Sequence, residues 1–419
     1  MSTERVDTIV VGAGMAGLLA ARVAAAGGAT VAVVDPQPPG GRARTDERQG
    51  YRWNRGPHAL YHGGAAERLL QQFGVPLAGG APAGGYFGSL GGIVEPLPVG
   101  PASLVRSHLL STRGKASLAR SRAKLLAADP STLGGVSFDE WLDGLRITAD
   151  AAALQRMLAR VGTYCCATDI AAADMVVGQM QQAMRAGVHY LDGGWQVLVD
   201  ALAAGVDVRR GTVASVGRDG GDVVAVLDSG SHLVGRTAVV AVATPDAAAT
   251  LTGRAPFDTG PAIEAACLDL ATDRPASRPL LFGIDQPLYL SDHGAVARLA
   301  PSGGSVVHVA RYLRPGEEHD PAATRAELEH HAALAGIGPA DIVDGRYLHR
   351  MTVAGALATV EHGGLAGRPG VADSGLDGVF LAGDWVGREG HLLDASAASA
   401  EAAAQAALSL LATGKLVGR

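Results

Sequence analysis

The feature that most constrains this chain is Gly12-Ala-Gly-Met-Ala-Gly17, three glycines set between a β-branched run and an alanine-rich stretch. Residues 7–11 (Asp-Thr-Ile-Val-Val) read as a short buried parallel strand. Residues 18–26 read as a helix closed by Gly27-Gly28, and residues 30–34 as a second strand ending on Asp35. This is a complete strand–helix–strand unit. Within it, Gly12 permits the tight turn, Gly14 lets backbone amides approach a pyrophosphate, and Gly17 lets the helix sit close on the strand. The N-terminus of the helix offers partial positive charge to phosphate, and Met15 and Ala16 within the glycine turn join the candidate cofactor contacts. Asp35, 18 residues beyond Gly17, stands where a carboxylate accepts hydrogen bonds from a ribose hydroxyl pair. A dinucleotide with an unphosphorylated adenosine ribose follows.

Composition excludes several other classes. The chain has 419 residues, 47% of them hydrophobic, enough for a large core divided between two structural units. A formal charge of −6 speaks against nucleic acid as the main partner, since phosphate backbones demand a basic surface. Cys165, Cys166 and Cys267 have neither metal-ligand spacing nor the number for a disulfide framework, so no metal is expected. The adjacent pair reads either as a redox couple or as two small buried side chains. The apolar start is broken by glycines and lacks a basic leader, and no stretch of ~20 residues is apolar and uncharged. A cytoplasmic enzyme without a transmembrane segment is the expectation.

Further along, residues 64–187 read as mostly helical, with helices near 65–73, 117–128 and 151–161 between Gly/Pro-rich loops. Strands follow at 206–209, 213–216, 223–227 and 237–243, then short alternating strands between 280 and 313 that suggest an antiparallel sheet. The end returns to a strand at 378–382, Gly383-Asp384, and a long alanine-rich helix near 393–411. The expected fold class is α/β: a Rossmann-like nucleotide domain of parallel sheet and helices, interleaved with a substrate domain of antiparallel sheet plus helices. The expected division assigns 1–63, 187–250 and 356–419 to the nucleotide domain, and 64–186 and 251–355 to the substrate domain.

Five residues after Asp35, Gly40-Gly41-Arg42-Ala-Arg-Thr45 resembles a segment of the amine oxidase and phytoene desaturase superfamily of flavoproteins. The resemblance implies FAD as cofactor and an arginine, here Arg42, near its pyrophosphate; a planar, permanently charged fork suits phosphate oxygens. Gly211-Thr-Val-Ala-Ser-Val216 is similar to the family's strand that pairs with the adenine edge, with Val213 at the matching position. Leu381-Ala-Gly383-Asp384 resembles the closing motif, whose aspartate binds the ribityl chain. The helix that follows, opening near Asp394-Ala395-Ser396, would point its N-terminus at the flavin pyrimidine. Gly193-Gly194 and Ala243-Thr244-Pro245 look like family connections. The stretch 383–404 is most similar to the phytoene-dehydrogenase-like branch.

Flavin performs the redox chemistry, while the protein orients substrate and handles protons. The resemblance brings Gly56-Pro57-His58 near the ring, making His58 a candidate proton acceptor or a mere loop tie, with His62 a weaker one. Trp385, Arg388, Glu389 and His391 fall in the loop after Asp384; Glu389 and His391 join His58 as candidate catalytic groups. Tyr164 reads as cavity wall or core.

The expected reaction is removal of hydride from a C–C or C–N bond of a largely apolar small molecule. An amine oxidase is the alternative. Such enzymes usually carry a lysine beside the flavin, expected between 280 and 353, and this chain has only Lys115, Lys124 and Lys415. A flavin-dependent isomerase is a further alternative, whereas a prenyl-protein carrier is disfavoured by the intact nucleotide motifs. The basic run from Arg106 to Lys124 reads as a solvated helix face or as a weak peripheral membrane contact.

Overall fold

The chain is described here by a computed structural model covering residues 3–413. Lys415 and the outermost domain limits at 1 and 419 lie outside the described residues. The opening motif forms as its residues dictate: β1 (Thr3–Val11), α1 (Met15–Ala26) and β2 (Val31–Asp35). The two strands pair in parallel, Ile9 to Val11 against Ala32 to Val34, and all six of these side chains are buried. Small alanines let α1 lie flat on this sheet, and eight of its residues are buried.

Five strands of this first sheet run parallel: Asp207–Arg210, β2, β1, His232–Val240 and Val379–Leu381. The strand His232–Val240 divides its partners. Its second half takes Val379–Leu381 in parallel, and its first half pairs antiparallel with Asp222–Leu227, which pairs in turn with Val213–Asp219. The closing helix Leu393–Thr413 packs against α1 and against the helix Ala65–Gln72, all within one apolar core. Ala65–Gln72 therefore belongs to the layer of the first sheet, although it opens the stretch read as insertion.

A second sheet has the order Ile342–Ala354, Ile263–Thr272, Ser305–Leu313, Leu288–Asp292, Leu280–Gly283, Tyr86–Leu90 and Ile93–Pro96. Only the pairing of Leu280–Gly283 with Tyr86–Leu90 is parallel. The sheet is thus wider than the alternating run 280–313 suggests. It recruits a hairpin from the stretch read as helical, across a sequence gap no local pattern reveals. On one face lie the helices Thr112–Ala127, Ala149–Thr163 and Ala173–Ala186. Pro321–Leu334 covers the other face. Among the described residues no helix is long and apolar enough to cross a membrane.

Candidate functional site

A cavity of about 530 Å³ runs between the two sheets. Its wall is assembled from distant segments: the α1 turn, the 34–43 stretch, residues 55–66, Val213, residues 241–243, the strand end at 351–353, and both sides of the closing loop.

At one end stands the N-terminus of α1. Its N-cap is Gly14, with no side-chain cap, so the first amides of the helix have no internal partner. The three glycines differ in their surroundings. A Cβ on Gly12, whose φ is +105°, would lie 2.4 Å from the Ala241 carbonyl oxygen, and one on Gly17 would lie 1.9 Å from that of Gly12. A Cβ on Gly14 would meet nothing within 4 Å, so that position opens onto the cavity. This is the surface an anionic pyrophosphate requires. Asp35 lines the cavity at the tip of β2. Its carboxylate accepts the Ala13 and Gln37 amides at 2.8 and 2.7 Å, stiffening the turn, and each oxygen keeps a second lone pair. Val213 lines the same end.

Toward the middle, Arg42 and Asp384 meet. Arg42 Nη1 lies 2.8 Å from Asp384 Oδ2 and donates to the Val353 carbonyl at 2.8 Å. Asp384 is nearly fully buried, and its other oxygen accepts the Gly355 amide at 3.1 Å. Gly41 and Gly383 line the cavity beside them, as do Met15 and Ala16. Gly17 and Ala395 stand just behind the wall, buried. Asp394 at the head of the closing helix reaches the lining, where its carboxylate accepts the Ala66 amide and the Gln182 side chain. That cross-link between three helices was not foreseen.

The far end is walled by Leu60, Tyr61, Tyr164, Met351 and Leu392. Tyr61 donates its hydroxyl to Gly162 O and Tyr164 to Pro57 O, so both rings present carbon. Two imidazoles join them. His58 Nδ1 lies 2.9 Å from the Gly56 carbonyl, an acceptor only, so Nδ1 carries the proton and Nε2 offers a lone pair. Its ring packs edge-on against Trp195 at 4.7 Å. His391 Nε2 donates to Thr163 O at 3.0 Å, leaving Nδ1 buried without a partner. Burial pulls both histidines down to about 4, so both are neutral at pH 7.

The other groups of the closing loop do not reach the cavity wall. Glu389 and Arg388 are exposed, outside the lining. Trp385 is fully buried against Phe257 and donates to the Val242 carbonyl, a core residue. Arg368, which no motif flagged, holds the loop by donating to Gly390 O. His62 pairs with Glu67 at 2.5 Å, away from the lining. Burial pushes the Cys165 and Cys166 thiols up to about 12 and about 11, which removes the thiolate a redox couple needs. Cys267, Asp269 and His308 form a buried cluster whose ligand atoms lie within 4.8 Å of one another. Arg346 already balances the Asp269 charge at 2.6 Å. Among the described residues no lysine lines the cavity; Lys115 and Lys124 lie on the helix Thr112–Ala127.

The sequence model of the flavin containing amine oxidoreductases matches residues 15–408. No curated protein matches the chain. Among solved structures it is similar to putrescine oxidase bound to putrescine, with a TM-score of 0.74 and 16% identity over 98% of this chain and 100% of that one. An oxidoreductase from Methanosarcina mazei gives 0.73 and 18% over 96% and 100%. Cyclohexylamine oxidase from Brevibacterium oxydans gives 0.68 and 16% over 97% and 99%. At these identities the likeness shows a shared fold.

Proposed function

This chain belongs to the flavin-containing amine oxidoreductase family and is an FAD-dependent oxidoreductase, and within that family we propose that it removes hydride from a carbon of a neutral, largely apolar small molecule. The observation that carries this reading is the far wall of the cavity, where tyrosine rings and aliphatic side chains surround two neutral imidazoles. An amine held as an ion pair would need a free carboxylate at this wall. Asp394 is engaged with Ala66 and Gln182, and Glu389 stands outside. The second reading, amine oxidation, is favoured by the putrescine and cyclohexylamine oxidases among the structural relatives.

In this proposal the α1 amides at Gly14, Met15 and Ala16 hold the pyrophosphate, Asp35 the adenosine ribose, and the Val213 backbone the adenine edge. Arg42 neutralises phosphate charge, Asp384 beside Gly383 accepts the ribityl hydroxyls, and the closing helix at Ala395 faces the pyrimidine. The proposed nucleotide unit takes in the helix Ala65–Gln72 as well, with the substrate unit beginning after it. Bound flavin supplies the hydride acceptor. The protein's own part is to exclude water with Tyr61 and Tyr164 and to offer a lone pair, at His391 Nδ1 or His58 Nε2, for the proton the substrate gives up.

Two experiments test this assignment. Purified protein should carry about one FAD per chain, the stoichiometry of a single dinucleotide turn. Mixed anaerobically with neutral apolar substrates and with simple amines, it should lose its oxidised-flavin absorbance with the former. Bleaching by simple amines alone would establish the second reading instead.

Retention of FAD probes the Arg42–Asp384 pair. Each charge-assisted bond contributes ~1.5–3 kcal/mol, so Asp384→Ala should weaken retention about ten- to hundred-fold with the apoprotein still folded. Arg42→Ala should fall further than Arg42→Lys, which keeps the charge and loses the fork. Because the two side chains touch, the double alanine variant should lose less than the product of the single losses. Dialysis against FAD-free buffer measures all four, and parental retention by Asp384→Ala would remove that residue from the site.

A further inference from the structure

We propose that the surface formed by the hairpin at 86–96 and the helix Thr112–Ala127 docks on an anionic lipid bilayer. The inference is independent of the substrate reading above. Residues 96–128 carry six Lys or Arg and no Asp or Glu, in a chain with 35 basic and 41 acidic residues. The cationic stretch is therefore set against a chain that is otherwise more acidic than its formal charge of −6 implies.

The fold turns this composition into a face. On the helix, Gly114, Leu118, Ser121 and Leu125 are buried, while Arg113, Arg120 and Lys124, spaced by seven and four residues, are exposed along one outer stripe. Across the outward face of the helix from that stripe, on the flank that carries Lys115 and Arg122, lie exposed apolar side chains. Of nine exposed large hydrophobic residues among those described, five fall between 86 and 105: Tyr86, Leu90, Ile93, Val99 and Val105. Ile93 is 67% exposed and Val105 73%. Leu90 and Ile93 pair across the Gly91-Gly92 tip of the hairpin. Side chains of the basic helix bind the backbone of the apolar segment: Lys115 Nζ donates to Val105 O at 2.6 Å, and Arg122 Nη1 to Pro98 O at 3.1 Å. The exposed charges and the apolar surface thus flank one patch, with Ala116, Ala119 and Ala123 exposed on the helix between them. The neighbouring acids Asp285 and Asp150 accept the Gly91 and Ser111 amides, and Glu95 is half-buried.

An anionic bilayer fits both halves of the patch. Basic residues near such a surface each add attraction, and aliphatic side chains enter the interface. Protein partners favour aromatic contacts at their core, and Tyr86 is the one aromatic residue among the five exposed. The layer beneath is informative too. Leu97, Leu110, Leu118 and Leu125 share a core with Tyr164 of the cavity wall. A docked membrane would therefore lie against the layer that encloses the far end of the cavity.

The test is flotation of the FAD-loaded full chain with phosphatidylcholine vesicles, with or without about 30% phosphatidylglycerol, at low salt and at ~0.5 M salt. Binding is expected only to the anionic vesicles and should fall with salt. Arg113→Glu/Arg120→Glu/Lys124→Glu should weaken partitioning more than about ten-fold, and Ile93→Ser/Val105→Ser several-fold, both with unchanged FAD content. Equal recovery with neutral and anionic vesicles overturns the proposal. Loss on charge reversal with no change for the serine variant overturns it as well, since a polyanion would then be the occupant. So does a dimer in solution that Ile93→Ser dissociates.

Discussion

Replacing His391 by glutamine is expected to slow substrate reduction of the flavin about 100-fold, with FAD content unchanged. Thr163 O can only accept, so Nε2 carries the imidazole proton and Nδ1 is left as a buried lone pair. Glutamine keeps a donor for Thr163 but removes the titratable nitrogen. Positioned acid–base groups contribute about 10²- to 10⁴-fold, and the lower end suits a base held down to about 4 by burial. That low value has a second consequence. The lone pair stays available well below pH 6, so the parent rate should be flat from pH 8 to about 5 and fall only below that. His58→Gln tests the other candidate base, whose ring is partly open to the cavity. Stopped-flow reduction under anaerobic conditions reads both variants. If His391→Gln bleaches as fast as the parent, the imidazole only ties the closing loop to Thr163, and the proton leaves by another path.

The proposed nucleotide end of this site rests on local information. Gly12, Gly14, Gly17 and Asp35 fall within one strand–turn–helix–strand unit, and each residue's task follows from its own backbone setting. The far end is written in long-range contacts. Four side chains of the closing loop were candidates. His391 faces inward through backbone features that the spacing does not state: Leu392 at φ +53°, Gly390 at φ +74°, and Arg368 gripping Gly390 O from 22 residues upstream. Asp394 was noted only as part of a helix start. Its bonds to Ala66, 328 residues away, and to Gln182 are invisible in sequence. The second sheet shows the same limit. Ile342–Ala354 is half-buried along most of its length, with Asp344, Arg346 and Arg350 interrupting its apolar residues, so it lacks the clean pattern by which a strand is read. The hairpin at 86–96 is masked by glycine and proline, and only its pairing with Leu280–Gly283 makes it part of a sheet.

Histidines buried in neutral form should also make the fold sensitive to mild acid. His331 donates to Leu281 O inside the helix-covered face of the second sheet, and burial lowers it to about 4, like His391. In the unfolded chain each imidazole titrates near 6.5. Between these values the unfolded state binds more protons than the folded one, so stability rises with pH there and is lost as pH falls from 6.5 toward 4. The loss by pH 5 comes to about 2 kcal/mol for each histidine, about 4 kcal/mol for the two. Against a typical stability of about 5–15 kcal/mol this is a large fraction. His58, also lowered to about 4, and His293, buried and depressed, act in the same direction, whereas the raised carboxyls of Asp292 and Asp394 act in the opposite one. Single variants separate these contributions. His331→Gln retains a donor for Leu281 O and cannot titrate, so its denaturation midpoint should change less between pH 7.5 and 5 than the parent's, by about 2 kcal/mol in unfolding free energy. Urea titrations at the two pH values measure this directly. If His331→Gln and the parent lose the same stability, the His331 ring is hydrated in the folded protein, and acid lability must come from elsewhere.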